Sequence, residues 1–173
     1  AGRILTVSAT GRSYAYGSLR LLPSSGSLGL VLDGMTMQEY LFGLGEMPSS
    51  WHLEALKAQA VAGRTFATHR IANPRSAPDY DMLASTSDQA YIGTTQVGTG
   101  QGLRWAQAVV ETDLLMLMWG GQPIIAFYSS SNGGHTERNE YVNVATLAYS
   151  TAIPDPWDLS SGNPNGTWTR TYS

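Results

Sequence analysis

The segment from Trp51 to Ile71 constrains the fold more than any other part of the sequence. It is rich in alanine and leucine, has Glu54 where a first helical turn favours an acid, and is stopped by Asn73-Pro74. Its apolar side chains surround the helix axis instead of forming a stripe: Leu53, Ala55, Leu56, Ala58, Ala60, Val61, Ala62, Phe66 and Ala67. A helix that is apolar nearly all round is buried. We therefore predict a long, buried central helix.

Antiparallel strands and two shorter helices are expected around this helix. Strand-like segments bounded by turn residues are residues 3–7, 13–22, 28–33, 89–92, 114–119 and 122–128. The last two form a hairpin across Gly120-Gly121. Thr36 can cap a helix from Met37 to Phe42, and another helix covers residues 103–112, whereas the chain beyond Ala152 is irregular. The sequence predicts one compact α+β domain over residues 1–173.

Composition excludes several classes of protein. A net charge of −3 without any Lys/Arg-rich run argues against a nucleic-acid binder. The absence of cysteine excludes disulfides, thiolate metal sites and a cysteine nucleophile. No apolar run approaches the ~18 residues of a membrane span. The glycines from Gly98 to Gly102 lack the spacing of a dinucleotide-binding motif.

The low charge content also suggests where the protein acts. Charged residues make up 13% of the chain, about half the usual ~25%. A polar but weakly charged surface suits an extracytoplasmic protein that meets uncharged sugars. The chain opens on Ala1-Gly2-Arg3 without a signal or anchor segment. If it is exported, we expect this to be the mature or trimmed form.

Glu46 is the first candidate for chemistry. It lies in a turn between two predicted helices, with Gly43 and Gly45 before it and Pro48 after it. Its apolar neighbours Leu44, Met47 and Trp51 would favour the protonated carboxyl, which a general acid needs. The alternative is a carboxylate that only stabilises the start of the next helix.

Lys57, the only lysine, and Arg64 are seven residues apart and therefore share a face of the long helix. Two cations on an apolar helix need partners, because an unpaired buried charge is costly. The partner is either Glu46 or a substrate, or else the cations form structural ion pairs with Glu54 or Asp81. The sequence leaves both readings open.

A polar loop over residues 129–137 follows Tyr128 and is rich in serine and glycine; we call it the serine–glycine loop. Its hydroxyls and backbone N–H groups suit sugar hydroxyls. His135 lies there too, but the chain has no nucleophile elbow, and a serine and a histidine in one short loop seldom reach triad geometry. Several aromatic residues could stack on sugars, although most should be core: Tyr14, Tyr16, Tyr91, Tyr128, Trp105 and Trp119.

Taken together, these segments resemble the stage II sporulation protein D (SpoIID/LytB) domain family over residues 17–168. The matching stretches are Tyr40 to Trp51 around Gly45-Glu46-Met47-Pro48, Leu53 to Thr65, Gln89-x-Tyr91-x-Gly93, Ala108 to Ile124, Tyr128 to Ser131, Gly133 to Glu137, and Pro154 to Asp158. Each stretch alone is weak. Their joint order and spacing carry the resemblance.

The resemblance implies a lytic transglycosylase that cleaves the glycan strands of peptidoglycan. The family's catalytic acid corresponds to Glu46, and its lysine and arginine to Lys57 and Arg64. The serine–glycine segment lines the substrate groove. We therefore expect substrate contacts from Lys57, Arg64, Gln89, Tyr91, Tyr128, Ser129, Ser130, Ser131, Gly133, Gly134, Thr136 and Glu137.

This chemistry accounts for the single persuasive carboxylate. Ordinary glycosidases need two carboxylates, whereas a lytic transglycosylase can use the sugar's own C6 hydroxyl as nucleophile and needs no cofactor. Some relatives hold zinc through cysteines near Asp88-Gln89, but Ala84, Ser85 and Ser87 cannot, so we predict no metal. Relatives often continue past Ser173, and the sequence leaves open whether a C-terminal portion is missing.

The resemblance leaves two functions open. One is the glycan-cleaving enzyme, with a preference for peptide-stripped strands. The other is a non-catalytic glycan binder that enhances a cell-wall amidase, a role in which Glu46 need not be an acid.

Overall fold

The computed structural model describes most of the chain as two compact units, Ala1–Ala126 and Phe127–Ser173. The described residues are 4–24, 26–74, 79–96, 102–143, 145–160, 162–167, 169 and 171. Small antiparallel sheets accompany a long helix, so the predicted α+β class is confirmed. Residues 98–101 of the predicted glycine-rich turn lie outside the described residues.

Two antiparallel hairpins open the first unit. Strand β1 (Leu5–Val7) pairs with β2 (Arg12–Tyr14), and β3 (Ser18–Ser24) pairs with β4 (Ser27–Asp33). The single strand predicted over residues 13–22 is wrong, because the chain bends at Gly17.

Gly17 has a φ of +73°, and a Cβ there would lie 2.5 Å from the carbonyl oxygen of Asp33. Only glycine fits this backbone conformation at such close range. One segment is therefore divided between β2 and β3.

Helix α1 (Met37–Phe42) follows β4, as the sequence predicts. Thr36 accepts a hydrogen bond from the Glu39 backbone N–H, while the Glu39 carboxylate accepts one from the Thr36 N–H. This reciprocal pattern is a capping box, which satisfies two donors that the helix itself leaves unpaired.

Helix α2 (Leu53–Ala72) is the predicted long helix. It begins two residues later than expected because His52 caps it, its Nδ1 accepting from the Glu54 N–H. The middle of the helix is buried at Leu56, at Ala60 and from Gly63 to Ala67. Both ends are more exposed, so the expectation of burial holds for the middle turns.

The first unit closes with helix α3 (Gly102–Glu111) and a hairpin of β5 (Met118–Trp119) and β6 (Gln122–Pro123). Gly120 and Gly121 have φ of +55° and +77°, the left-handed values that a tight hairpin turn requires. The turn is where the sequence places it, but the strands are much shorter than predicted.

The core of this unit lies where α1, α2 and α3 meet. Its buried members are Leu41, Leu44, Met47, Leu56, Ala60, Tyr91, Trp105, Ala108 and Val109. The Trp105 indole donates a 2.9 Å hydrogen bond to the Leu41 carbonyl, so its only polar atom is satisfied. The Tyr91 ring stacks against Tyr14 and Tyr40.

The second unit contains helices α4 (Asn139–Val142) and α5 (Pro156–Ser160) and a bridge between His135 and Pro154. The expectation of an irregular chain beyond Ala152 is wrong at α5. Pro156 occupies its first position, where proline is tolerated because that N–H has no helical partner. Within the described residues, no helix has the length and apolar character to cross a membrane.

The core makes a specific demand on Gly43. A Cβ at this position would lie 2.3 Å from the Tyr91 ring, although the φ of −91° suits any residue. We therefore expect Gly43→Ala to lower the free energy of unfolding by about 1–3 kcal/mol through overpacking, measured by urea denaturation. Gly29→Ala is the matched control, because its Cβ would only touch Leu22 at 3.6 Å. Equal stabilities of the two variants would contradict this packing.

Candidate active site

Glu46 follows a short backbone pairing between two separate segments. The Gly45 N–H donates to the Ala90 carbonyl and the Ile92 N–H donates to the Gly43 carbonyl, both at 2.8 Å. Leu44 and Tyr91 form the bridge between them. The strand predicted over residues 89–92 is therefore only this isolated bridge. It ends at Gly93, whose φ of +75° turns the chain away from an extended course.

The Glu46 side chain adds one more hydrogen bond to this pairing. Its Oε1 accepts a hydrogen bond from the Ala90 N–H, so the carboxylate takes the place of a backbone carbonyl. The residue is half-buried, next to the buried side chains of Leu44 and Met47, whereas Trp51 is exposed. The carboxyl group is thus held in a fixed position at the border between core and solvent.

The turn after Glu46 is anchored by α3. The Trp51 N–H donates to the Pro48 carbonyl at 3.1 Å. Arg104, in the first turn of α3, donates from Nη1 to the carbonyls of Ser50 and Trp51 at 3.0 and 3.1 Å. The segment between Glu46 and α2 therefore has little freedom.

Lys57 lies between two carboxylates. Its Nζ is 2.9 Å from Glu54 and 2.8 Å from Glu111, which ties α2 to the end of α3. The Glu111 hydrogen bond, followed by that of Glu54, raises the pKa of Lys57. Of the two readings that the sequence leaves open, the structure shows the ion pair with Glu54.

Arg64 is buried, with 3% of its surface exposed. Its guanidinium donates to the carbonyls of Val109 and Leu115, each at 3.1 Å, and to Thr112 Oγ1 at 3.4 Å. These acceptors belong to the C-terminal end of α3 and the turn after it, where helical carbonyls lack intrahelical donors and a cation is favoured. Burial lowers the pKa of Arg64.

Gln89 and Tyr91 support the Glu46 pairing from within the core. Gln89 is fully buried; it accepts from the Tyr40 hydroxyl at 2.9 Å and donates to the Gly63 carbonyl at 3.3 Å. Tyr91 is 6% exposed, and burial raises its pKa to about 12. Gln89 thereby connects α1 to α2, whereas the Tyr91 ring stacks against Tyr14 of β2 and Tyr40 of α1.

The serine–glycine loop is organised by Asp158. Asp158 Oδ2 accepts hydrogen bonds from the Ser131 hydroxyl at 2.6 Å and from the backbone N–H groups of Asn132, Gly133 and Gly134 at 2.8–3.3 Å. The Ser131 hydrogen bond, followed by those from Asn163, Asn132 and Gly133, lowers the pKa of Asp158 to about 2. The N–H groups predicted to meet sugar hydroxyls therefore hold a carboxylate of the same chain.

Other members of the loop have different surroundings. Ser129 and Ser130 are exposed, and the Ser129 hydroxyl donates to the Ser131 carbonyl. Thr136 donates to the Thr151 carbonyl, while the exposed Glu137 accepts from the Arg138 N–H. Tyr128 is half-buried. The loop is part of the second unit, whereas Glu46, Lys57, Arg64, Gln89 and Tyr91 belong to the first.

A surface depression of about 1090 Å³ lies in the first unit. β4, α1 and residues 79–84 line it together with Tyr91, and Glu46 is not among the lining residues. The predicted substrate groove therefore remains a prediction. Within the described ranges, no three His, Asp or Glu side chains are grouped as a metal site would need.

Comparison with known proteins supports the resemblance seen in the motifs. A family model described as Stage II sporulation protein, SpoIID, matches residues 27–119, which is more than half of the chain. The chain belongs to the SpoIID family. The matched range contains both helices that frame Glu46 and the whole Ala90–Ile92 segment.

Three curated relatives each align with about three quarters or more of this chain. An uncharacterized protein of Brachyspira hyodysenteriae is 32% identical over 78% of the chain and 36% of its own length. Stage II sporulation protein D of Bacillus amyloliquefaciens is 32% identical over 82% and 44%. The amidase enhancer of Bacillus subtilis is 38% identical over 74% and 16%. The chain thus spans less than half the length of these relatives.

Sequence reasoning missed Asp158 and Arg104. Asp158 stands in the SpoIID-like stretch Pro154 to Asp158, yet only the fold shows that its carboxylate organises the serine–glycine loop. Successive backbone N–H groups can converge on an anion where glycines let the chain turn tightly, so Asn132-Gly133-Gly134 indicates an anionic partner. Arg104 belongs to none of the motifs that the sequence shows.

Arg64 allows a test of its structural role. Arg64→Met removes the guanidinium donors from the Val109 and Leu115 carbonyls, at a cost of about 1–3 kcal/mol for each carbonyl that is left unsatisfied. The control is Arg104→Met, which also loses two carbonyl contacts, but at exposed positions that water can reach. Chemical denaturation should show a clearly larger loss for Arg64→Met. Equal losses would show that burial of Arg64 is unimportant.

Asp158 gives the loop a defined pH dependence. Its pKa in the fold, about 2, lies below the ordinary 3.8. Its stabilising bonds are therefore fully present above about pH 4 and are lost as the pH falls through about 2. The amide NMR shifts of Asn132 and Gly133 should stay constant through pH 3.8 and change near pH 2. Asp158→Asn should abolish this transition, whereas Asp81→Asn should not; a transition near pH 3.8 would contradict the assignment.

Proposed function

We propose that this SpoIID-family chain is an extracytoplasmic lytic transglycosylase that cleaves the MurNAc–GlcNAc bonds of peptidoglycan. The Glu46 carboxyl protonates the glycosidic oxygen, and the bond to C1 of MurNAc breaks. The Glu46 carboxylate then accepts the proton of the C6 hydroxyl while that oxygen attacks C1. The products are a 1,6-anhydro-MurNAc end and a new GlcNAc end, and no water is consumed.

The position of Glu46 is the observation that carries the proposal. The Ala90 N–H fixes one carboxylate oxygen, and the adjoining turn is fixed by Arg104. General acid–base catalysis requires a carboxyl group at a defined place that substrate can reach. A half-buried carboxyl on an anchored turn meets this requirement, whereas a carboxylate that only favoured a helix start would need no such anchoring.

The two cations of α2, Lys57 and Arg64, act on the scaffold in this proposal. Lys57 fixes α2 against α3 through Glu54 and Glu111. Arg64 is enclosed and holds the end of α3, the helix whose first turn carries Arg104. Both therefore act on Glu46 through the position of α3, and we assign neither of them the role of second catalytic group.

Substrate contacts are assigned to the polar loop of the second unit. Exposed Ser129, Ser130 and Glu137 are the members best suited to meet sugar hydroxyls. Ser131, Gly133 and Gly134 shape the loop through Asp158. Gln89 and Tyr91 position the Ala90 N–H that holds Glu46. We expect the favoured substrate to be glycan already stripped of stem peptides.

A second candidate is a glycan-binding enhancer of a cell-wall amidase. The observation in its favour is the relative named amidase enhancer, which has the highest identity among the three proteins above. In that role the chain would bind glycan and an amidase without cleaving the strand itself.

Glu46→Gln separates these two functions. The glutamine oxygen can still accept from the Ala90 N–H, so the fold is retained while the proton donor is lost. Intact and peptide-stripped glycan should yield anhydro-MurNAc ends with the unsubstituted protein and at least about 100-fold less with Glu46→Gln, as for loss of a general acid. The products are followed by mass spectrometry.

Asp81→Asn serves as the control for this experiment. It is the same carboxylate-to-amide change at an exposed residue of the first unit that has no role in the proposal, and it should leave cleavage within a few-fold of the unsubstituted rate. Equal cleavage by Glu46→Gln would refute the catalytic assignment. Binding of glycan without any product from the unsubstituted protein would instead favour the enhancer.

A further inference from the structure

Trp51 is a large aromatic residue that the fold leaves in solvent beside Glu46. Half of its surface is exposed, whereas Trp105 of the same unit is fully buried with its indole N–H bonded. Burial of an aromatic ring is among the larger favourable contributions to a core. Because half of the Trp51 surface remains in solvent, its ring stabilises the core much less than that of Trp105 does.

The backbone of Trp51 is nevertheless tightly fixed. Its N–H donates to the Pro48 carbonyl, its own carbonyl accepts from Arg104, and the next residue, His52, caps α2. With its backbone held and only two side-chain torsions to order, Trp51 loses little conformational freedom when a ligand binds, which favours affinity. Rigid support and solvent exposure together are characteristic of a preformed binding surface.

The distance from Trp51 to Glu46 suits one continuous ligand. The hydrogen bond from Trp51 to Pro48 closes a four-residue turn, which keeps their Cα atoms within about 7 Å. Glu46 is two residues before Pro48, at most about 7 Å further. The Trp51 Cα is therefore within about 14 Å of the Glu46 Cα, a span that a few sugar rings cover.

We propose that Trp51 is a sugar-stacking subsite next to Glu46, which binds the apolar face of a pyranose ring of the glycan strand. This inference rests on the proposed function for its ligand. It concerns binding alone, so it can stand or fall separately from cleavage. The other exposed tryptophan of the first unit, Trp119, lies on the β5–β6 hairpin and provides a control of similar exposure.

Binding is measured in the Glu46→Gln background, where no strand is cut. Peptide-stripped GlcNAc–MurNAc oligosaccharides are titrated while tryptophan fluorescence and heat are recorded. Trp51→Ala should weaken binding roughly tenfold or more, the order of magnitude found when an aromatic side chain that stacks on a nucleic-acid base is removed. Trp51→Phe should retain most of the affinity but lose most of the fluorescence change, and Trp119→Ala should alter neither.

Any of three other outcomes would refute the proposed subsite. Affinity of Trp51→Ala within twofold of its parent, with an unchanged melting temperature, removes the stacking role. Equal weakening by Trp119→Ala shows a general surface effect. Absence of any glycan binding by the Glu46→Gln parent refutes both the subsite and the proposed ligand.

The cleavage assay distinguishes the subsite from the proposed function. If the unsubstituted protein yields no product yet Trp51→Ala weakens binding, the subsite stands and the transglycosylase is refuted. If cleavage depends on Glu46 but Trp51→Ala has an unchanged KM, the enzyme stands and the subsite is refuted. A raised KM with a smaller change in kcat is the result expected for a residue that binds substrate and transition state alike.

Discussion

The pairing of Gly43–Glu46 with Ala90–Ile92 is the constraint on which the candidate site depends. It requires close approach of the two segments, and the two glycines before Glu46 make that possible. A Cβ at Gly45 would lie 2.6 Å from the Ile92 side chain, and one at Gly43 would lie 2.3 Å from the Tyr91 ring. Glu46 is the one residue of the segment with a polar side chain, and that side chain completes the pairing through Ala90.

Local signals in the sequence predicted helices α1, α2 and α3 well, but not the short helices α4 and α5. Thr36 and Glu39 are correctly spaced for a capping box, and Gly120-Gly121 has the chemistry of a tight hairpin turn. Strand lengths were predicted less well, because they depend on partners distant in sequence. The break at Gly17 follows from its contact with Asp33, which no local pattern contains.

The same limit applies to the charged residues. Helical spacing correctly places Lys57 and Arg64 on one side of α2, yet it does not give their depth. Lys57 reaches two carboxylates near the surface, whereas Arg64 is enclosed among the carbonyls at the end of α3. Likewise, the loop sequence indicates donors for an anion, but the fold alone identifies Asp158 as that anion.

In the proposed reaction Glu46 serves alone because the attacking oxygen comes from the sugar. Cleavage of peptide-stripped glycan in water enriched in ¹⁸O tests this directly. The mass of each new MurNAc end shows whether solvent oxygen has entered the product. We expect anhydro ends without ¹⁸O, whereas reducing ends that carry ¹⁸O at C1 would mean that water attacks and would refute this mechanism.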